Sequence, residues 1–453
     1  MSSPDPGSFR DPASHVVLDE DKAIRLLDER GLEGWRALSG TEFFRSAVAA
    51  RHLIDAVELA DPPPGSAAAL QHPLVPMVSY PYEWTFSMLK DAAILQLDLL
   101  EGALDAGLTI KDATPYNIQF VDGKPIFIDI GSFEAYRRGE PWIGYRQFTR
   151  QFLFPLLLRA WVGVPFQPWL RGDLEGLTSG QMARLLPFSK RFKPSALLHV
   201  RLQARMEARM ADRAVRRELG EAGFNADLIK ANVKRLRSLI GSLDWEHDAD
   251  GWSTYVDCTH VARDRAAKGE FLASALQRLA PKRVTDMGAN DGHFSLIAAG
   301  SGALAVAVDS DEAVLDDLYR RTAGAGLAIV LSDVSNPSPA QGWAGEERAS
   351  LIDRIRPDLV VAYGVIHHLI YGASIPPREV VRWLSSFGCP VLLEFVSPDD
   401  EMVARLVGNK LPHELHGDRE EAQFRALVEP WFEITAEETL TSGTRVLFAL
   451  EPR

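Results

Sequence analysis

The sequence predicts an α/β protein in two parts: a C-terminal sheet of parallel βα units ending in an antiparallel hairpin, preceded by a mainly helical α+β region. Three observations carry this. From residue 283 onward, strand-like runs at 283–287, 304–309, 327–332, 358–363 and 390–396 alternate with helix-compatible stretches. That is the spacing of repeated βα units and of a parallel sheet. Two last runs, 433–439 and 445–451, flank the turn signal Ser442-Gly443, so they form a hairpin at the sheet edge. Before residue 244 the pattern is mostly helical, broken by one clear hairpin.

With 453 residues the chain is too long for one ordinary core, and two or three domains are expected. At 46% hydrophobic and 25% charged residues, the composition is that of a soluble globular protein. The two cysteines, Cys258 and Cys389, cannot build a disulfide framework and have no metal-site spacing. This fits a reducing cytoplasm. A formal net charge of −13 gives no general attraction to nucleic acid or an anionic membrane. The most apolar run, 152–166, is short and interrupted by Pro155 and Arg159, which suits a buried helix pair rather than a membrane span.

In chain order, residues 1–14 read as a disordered tail without a signal-peptide pattern. Residues 16–18 and 23–27 form either a hairpin or the entry to a helix. Residues 41–59 read as a helix capped by Thr41 with Glu42 in its first turn. Asp61-Pro62-Pro63-Pro64-Gly65-Ser66 breaks the chain. Residues 89–104 carry Leu, Ala and Ile at helical spacing, a second, well-buried helix. Asp122-Gly123 between two β-prone runs, 117–121 and 125–130, is a hairpin signal. It puts Asp112 and Asn117 on the preceding loop and Asp129 at the exit of the second strand. Residues 142–240 are mainly helical and end basic. Arg201, Arg205, Arg209, Arg213 and Arg217 recur every four residues as a stripe along one face. The stripe is either a solvated face or a contact for an acidic partner. The boundary falls at the acidic stretch near residue 244. Residues 244–280 are linker and leading helix (270–279), and 281–453 form the second domain.

The second domain is organised around Val284-Thr285-Asp286-Met287-Gly288-Ala289-Asn290-Asp291-Gly292, an apolar strand entering a glycine-containing turn, with a helix at 294–299 after it. Such loops bind nucleotide-like ligands in α/β sheets. The glycine spacing does not match the dinucleotide fingerprint G-x-G-x-x-G. Asp309 ends the second strand, Asp333 follows the third, and Tyr363-Gly364-Val365-Ile366-His367-His368 follows the fourth. With these residues, 281–453 resembles a class I S-adenosylmethionine-dependent methyltransferase, whose Rossmann-like seven-stranded sheet has an antiparallel last strand. The resemblance implies S-adenosylmethionine as cofactor and assigns roles. Gly288, Asn290 and Gly292 would pass beneath its methionine and ribose. Asp286 would help to hold its amino group. Asp309, with Ser310 beside it, would take the ribose hydroxyls. Asp333 and Val334 would meet the adenine, and Tyr363 and Gly364 would border the sulfonium. Asn290 departs from the glycine that many family members carry. His367 or His368 suits a base near neutral pH. As adjacent residues they are expected to point in different directions and not to share a metal. Glu394, ending the fifth strand, can position an acceptor or a histidine.

In the N-terminal part, Asp112-Ala113-Thr114-Pro115-Tyr116-Asn117, a hairpin, then Asp129-Ile130-Gly131 resembles the catalytic segment of protein kinases and aminoglycoside phosphotransferases. The resemblance implies Asp112 as base and Asn117 and Asp129 as holders of a magnesium ion. Ile110-Lys111 replace the expected His-Arg, and no glycine-rich loop precedes them. The region is therefore expected to be a degenerate, non-catalytic kinase-like domain (15–243) that shapes or covers the methyltransferase site. Together these readings give a cytoplasmic methyltransferase acting on a small molecule, an oxygen of a sugar or specialised metabolite. The alternatives are a bifunctional protein that also binds nucleotide or transfers phosphate, and methylation of a macromolecule.

Overall fold

A computed structural model describes residues 3–19, 22–202, 225–246, 259–417 and 419–453. The chain divides into two compact units, Met1–His247 with Ala340–Ala349, and Asp248–Pro339 with Ser350–Arg453.

The first unit opens on a five-stranded antiparallel sheet in the order β1-β2-β3-β5-β4. Its strands are β1 (Ser3–Pro4), β2 (Ser14–Leu18), β3 (Lys22–Leu27), β4 (Val57–Glu58) and β5 (Ala68–Pro73). Residues 16–18 and 23–27 thus form a hairpin. Residues 3–14, expected as a tail, instead lead into this sheet, with Ser3 and Pro4 paired to Leu18 and Val17. Distant charges hold the segment: Arg10 pairs with Glu347 at 2.6 Å and Asp11 with Lys111 at 3.3 Å. Helix α1 (Glu29–Ser39) follows β3. Helix α2 spans only Glu42–Ala49, capped as expected by Thr41, whose hydroxyl accepts from the Phe44 N–H. The longer helix fails because Arg51 turns to φ 58° and the Ile54 N–H donates to the Phe127 carbonyl at 2.9 Å. Tertiary pairing overrides helical propensity there.

Helix α3 (Phe86–Asp105) is the axis of this unit. It is apolar on nearly every side, and so are its surroundings, because a helix hydrophobic all round must be buried. Beyond it lie β6 (Leu108–Ile110), β7 (Ile118–Val121), β8 (Lys124–Phe127) and β9 (Phe133–Ala135). The β7–β8 hairpin turns through Asp122 at φ 51° and Gly123 at φ 70°, the left-handed pair that its two-residue loop requires. Residues 340–349 also belong to this unit. Gln341 and Arg348 pair backbone to backbone at 2.9 Å, and the Gln341 amide donates to the Arg171 carbonyl at 2.9 Å. The Arg348 guanidinium lies 4.7 Å from the Tyr116 ring centre. Of the arginine stripe, Arg201 is described; Arg205, Arg209, Arg213 and Arg217 lie outside the described residues.

The second unit is a seven-stranded sheet in the order β12-β11-β10-β13-β14-β16-β15. Its strands are β10 (Arg283–Met287), β11 (Leu304–Asp309), β12 (Leu327–Leu331), β13 (Leu359–Ala362), β14 (Val391–Val396), β15 (Phe432–Thr439) and β16 (Arg445–Pro452). The first five run parallel, and β16 lies antiparallel between β14 and β15. A parallel sheet closed by an antiparallel hairpin is what the strand-like runs predicted. Strand β14 is buried along its whole length, which is why it reads as an unbroken apolar run around one acid, Glu394. The chain leaves β10 towards β11 on one side and returns to β13 on the other. The carboxyl ends of β10 and β13 therefore frame the crevice in which open α/β sheets take ligands. The leading helix is longer than its expected span and covers Thr259–Leu279. Among the described residues no helix is long and apolar enough to cross a membrane.

Candidate active site

The loop from Gly288 to Gly292 turns through three left-handed residues, Gly288 at φ 77°, Asn290 at φ 46° and Gly292 at φ 75°. Asparagine tolerates this region better than most side chains, so Asn290 substitutes for glycine without breaking the turn. The Gly288 and Ala289 N–H groups both donate to the Val308 carbonyl, at 2.9 and 3.1 Å, tying the loop to β11. The two glycines serve packing as well as any ligand. A Cβ at Gly292 would stand 2.5 Å from Leu318 Cδ1, and one at Gly288 would stand 3.2 Å from Val365 Cβ.

The acids expected to hold the cofactor fall into three environments. Asp286 is fully buried and accepts from the Ser295 hydroxyl at 2.6 Å. Burial pushes its carboxyl up to about 7, against the pull of that hydrogen bond. Asp309 accepts the Asn290 N–H on one oxygen at 2.8 Å and the Asp311 N–H on the other at 2.9 Å. Burial raises its pKa, and those backbone donors oppose the rise. It does not cap the helix Glu312–Arg321; Asp311 does, accepting from Ala313 and Val314. Asp333 and Ser310 are exposed, Val334 is half-buried, and Asp333 accepts the Ser335 N–H at 2.7 Å. Two buried hydroxyls at the same strand ends, of Ser332 and Tyr363, have no hydrogen-bond partner among the described residues. The Tyr363 ring stands edge-on to Phe294 at 5.1 Å. Gly364 follows at φ 65°, and a Cβ there would lie 3.7 Å from Glu394 Oε2.

Beside Gly364 lies a second group. The His367 and His368 rings do not diverge as expected of neighbours: their centres are 4.1 Å apart with planes at 41°. The π-helical turn His368–Gly372 begins here and changes the usual angular step between adjacent side chains. His367 is 1% exposed, and neither ring nitrogen has a hydrogen-bond partner among the described residues. Burial, then His368 and Arg445, hold it well below the usual histidine range; burial brings His368 down to about 4. Glu394 is fully buried between Lys268 at 2.8 Å and Arg445 at 3.1 Å. Arg445 also pairs with Asp400 at 2.9 Å. Burial works to raise Asp400, but hydrogen bonds from Arg445, Thr444 and the Met402 N–H outweigh it and bring it down to about 2.

Lys268, Arg445, Asp400 and Ser295 were not read from the sequence. Arg445 carried a usable signal. In the β14–β16 register it stands opposite Val396, diagonal to Glu394, so a strand acid and a strand base two positions out of step were bound to meet. Lys268 carried none, because a lysine on a helix rich in charged residues reads alike whether it meets solvent or a buried acid. The first unit's three polar residues also come together: the Asn117 amide donates to Asp129 at 3.2 Å, and burial followed by the Asp129 charge raises Asp112.

No protein-family model matches the chain. The nodulation protein NoeA of Rhizobium meliloti (strain 1021) is 32% identical over 465 aligned positions, covering 98% of this chain and 95% of the relative. The chain belongs to the family of that nodulation protein. Among solved structures, magnesium protoporphyrin IX methyltransferase (ChlM) from Synechocystis PCC 6803 with bound SAH aligns at 17% identity. It covers 49% of this chain and 94% of its own, with a TM-score of 0.30. The N-methyltransferase NodS from Bradyrhizobium japonicum WM9 aligns at 14% identity over 44% of this chain and 100% of its own, TM-score 0.31. The bifunctional kinase-methyltransferase WbdD aligns at 17% identity over 47% of this chain and 45% of its own, TM-score 0.30. At such scores the fold is read from its own strand order.

Proposed function

We propose that the chain is an S-adenosylmethionine-dependent methyltransferase acting in the cytoplasm on a small molecule. The proposed acceptor is an oxygen of a sugar or specialised metabolite. The observation that carries the reading is Asp309. A half-buried carboxylate closes the second strand at the sheet's switch point and holds the turning loop by the Asn290 N–H. Each oxygen keeps a lone pair for a ribose hydroxyl. The residues present fit the cofactor. The unpartnered Ser332 and Tyr363 hydroxyls lie at the strand ends where adenine and sulfonium would be, and Asp333 and Val334 stand beside the former. The bound cofactor would supply an electrophilic methyl group on a sulfonium.

The chain's own residues would do the rest. Asp286 supports the loop from below through Ser295. Gly364 leaves the space between donor and acceptor open. Burial holds His367 neutral, so its bare ring nitrogen can accept a hydrogen bond from an acceptor hydroxyl; the same burial makes it a weak base, suited to orienting that hydroxyl rather than keeping its proton. Lys268 and Arg445 neutralise Glu394 beside it. The family likeness to a nodulation protein suits a specialised acceptor. The first unit would be a non-catalytic, kinase-like accessory.

Calorimetric titration with S-adenosylhomocysteine should show one site per chain. Asp309→Ala removes two charge-assisted contacts of roughly 1.5–3 kcal/mol each, so affinity should fall by about 100-fold or more. Unchanged affinity would sink the ribose assignment and with it the reading. Labelled-methyl transfer to candidate hydroxylated metabolites then identifies the acceptor.

A further inference from the structure

The phosphotransferase-like spacing of the first unit implies a divalent ion at Asn117 and Asp129, and the side chains there do not fit one. A hard cation needs oxygens converging on a shared point. The Asp129 carboxylate is already engaged on both sides. Its Oδ1 takes Nη1 of Arg25 at 2.8 Å. Its Oδ2 accepts from the Asn117 amide at 3.2 Å and from the Ser132 hydroxyl. Asn117 therefore turns its amide N–H, not its oxygen, to Asp129, and the same N–H reaches Ser132 Oγ at 3.3 Å.

Arg25 comes from the middle of β3 and is 9% exposed. Its Nη1 also donates to the Ser14 hydroxyl of β2 at 2.8 Å, and its Nη2 to the Ile128 carbonyl at 3.4 Å. Gly131 makes the room. A Cβ there would come within 3.3 Å of Arg25 Nη1 and 3.4 Å of Asp129 Oδ1. The neighbouring His72, 4% exposed and with its Nδ1 on the Asp55 carbonyl at 2.8 Å, adds no second positive charge. Burial and the Arg25 charge lower its pKa to about 4, so it is neutral near pH 7.

We propose that Arg25 is a built-in counter-cation occupying the place of the metal at Asp129. The Asn117–Asp129 pair is then part of a closed, metal-independent clasp that fastens the N-terminal sheet to the residues flanking the β7–β8 hairpin. The charge that a phosphoryl-transfer site would supply from solution is supplied by the chain. A guanidinium fork suits the task because it is always charged and binds carboxylates directionally. This inference is independent of the methyltransferase reading, since none of its residues belongs to the second unit.

The test uses the full-length protein and Mn²⁺ as probe, followed by loss of the free-ion electron paramagnetic resonance signal. Wild type should bind no more Mn²⁺ than Asp129→Asn, with or without ATP. Arg25→Met should melt earlier and gain one Mn²⁺ per chain, lost again in Arg25→Met/Asp129→Asn. Wild-type binding of Mn²⁺ that Asp129→Asn abolishes would overturn the proposal, and so would a folded Arg25→Met that gains no ion. If Arg25→Met does not fold, stability alone decides. Neutralising the stranded carboxylate should rescue it, so the double variant must fold; a double variant no better than the single one refutes the clasp.

Discussion

At the scale of single residues, the second unit stores its chemistry in buried acids whose charges are governed by their neighbours. Asp286 is the clearest case. Its folded pKa of about 7 lies far above the ordinary 3.8, because burial penalises the charged form more than Ser295 stabilises it. The folded protein therefore keeps a proton that the unfolded chain gives up between about pH 4 and pH 7. Stability from this group falls as pH rises through that window, by at most about 4 kcal/mol. Asp286→Asn, which can still accept from Ser295, should flatten the difference between urea midpoints measured near about pH 5 and about pH 8. An unchanged difference would show that Asp286 is charged throughout. The acids themselves were legible in the sequence because each stands in or just after an apolar run that announces a strand; Asp309 ends its strand, while Asp286 and Glu394, expected at strand ends, lie within theirs. Their partners were not legible. Ser295 is one serine in a helix, and nothing local tells a buried acceptor's donor from a solvated hydroxyl.

At the scale of elements, the second unit's strands were legible almost to the residue, since fully buried parallel strands are short apolar runs with turns at each end, whereas short first-unit strands such as Leu108–Ile110 and Phe133–Ala135 were not. The helix Thr259–Leu279 shows what periodicity leaves out. It carries Asp264, which accepts from the Thr441 hydroxyl at 2.7 Å, Arg265, which pairs with Asp291 at 2.6 Å, and Lys268, which pairs with Glu394. One helix thus reaches the end hairpin, the turning loop and the fifth strand, all at the carboxyl edge of the sheet. Nonlocal charge pairs of this kind have no sequence period. Their energies depend on burial. Arg445→Met would leave Glu394 with Lys268 alone and Asp400 without its ion partner, and should cost about 3–5 kcal/mol in chemical denaturation. Arg278→Ala, which removes a half-exposed pair with Glu451, should cost under about 1 kcal/mol. Equal losses would mean that the inner network is solvated rather than buried.

At the scale of the whole molecule, local pattern found the C-terminal sheet, but it missed the five-stranded sheet that opens the N-terminal part and how the chain is partitioned. Residues 3–14 are polar and proline-containing, which reads as a tail until Glu347 and Lys111 are known to meet Arg10 and Asp11. Likewise no composition shift marks Ala340–Ala349 as part of the first unit. That ten-residue excursion makes the first unit discontinuous. A protein built this way cannot be divided at one peptide bond into two complete halves, and a gene split near codon 247 would encode a first unit short of its own residues. Arg10 would lose Glu347, and the Tyr116 ring would lose the Arg348 guanidinium that covers it. A Met1–His247 fragment should therefore melt well below the same fragment carrying 340–349 grafted to its end, as read by circular dichroism. Identical melting would show the excursion to be a passenger. The same topology bears on domain exchange: a graft that moves residues 248–453 as one piece carries ten residues of the first unit away with it.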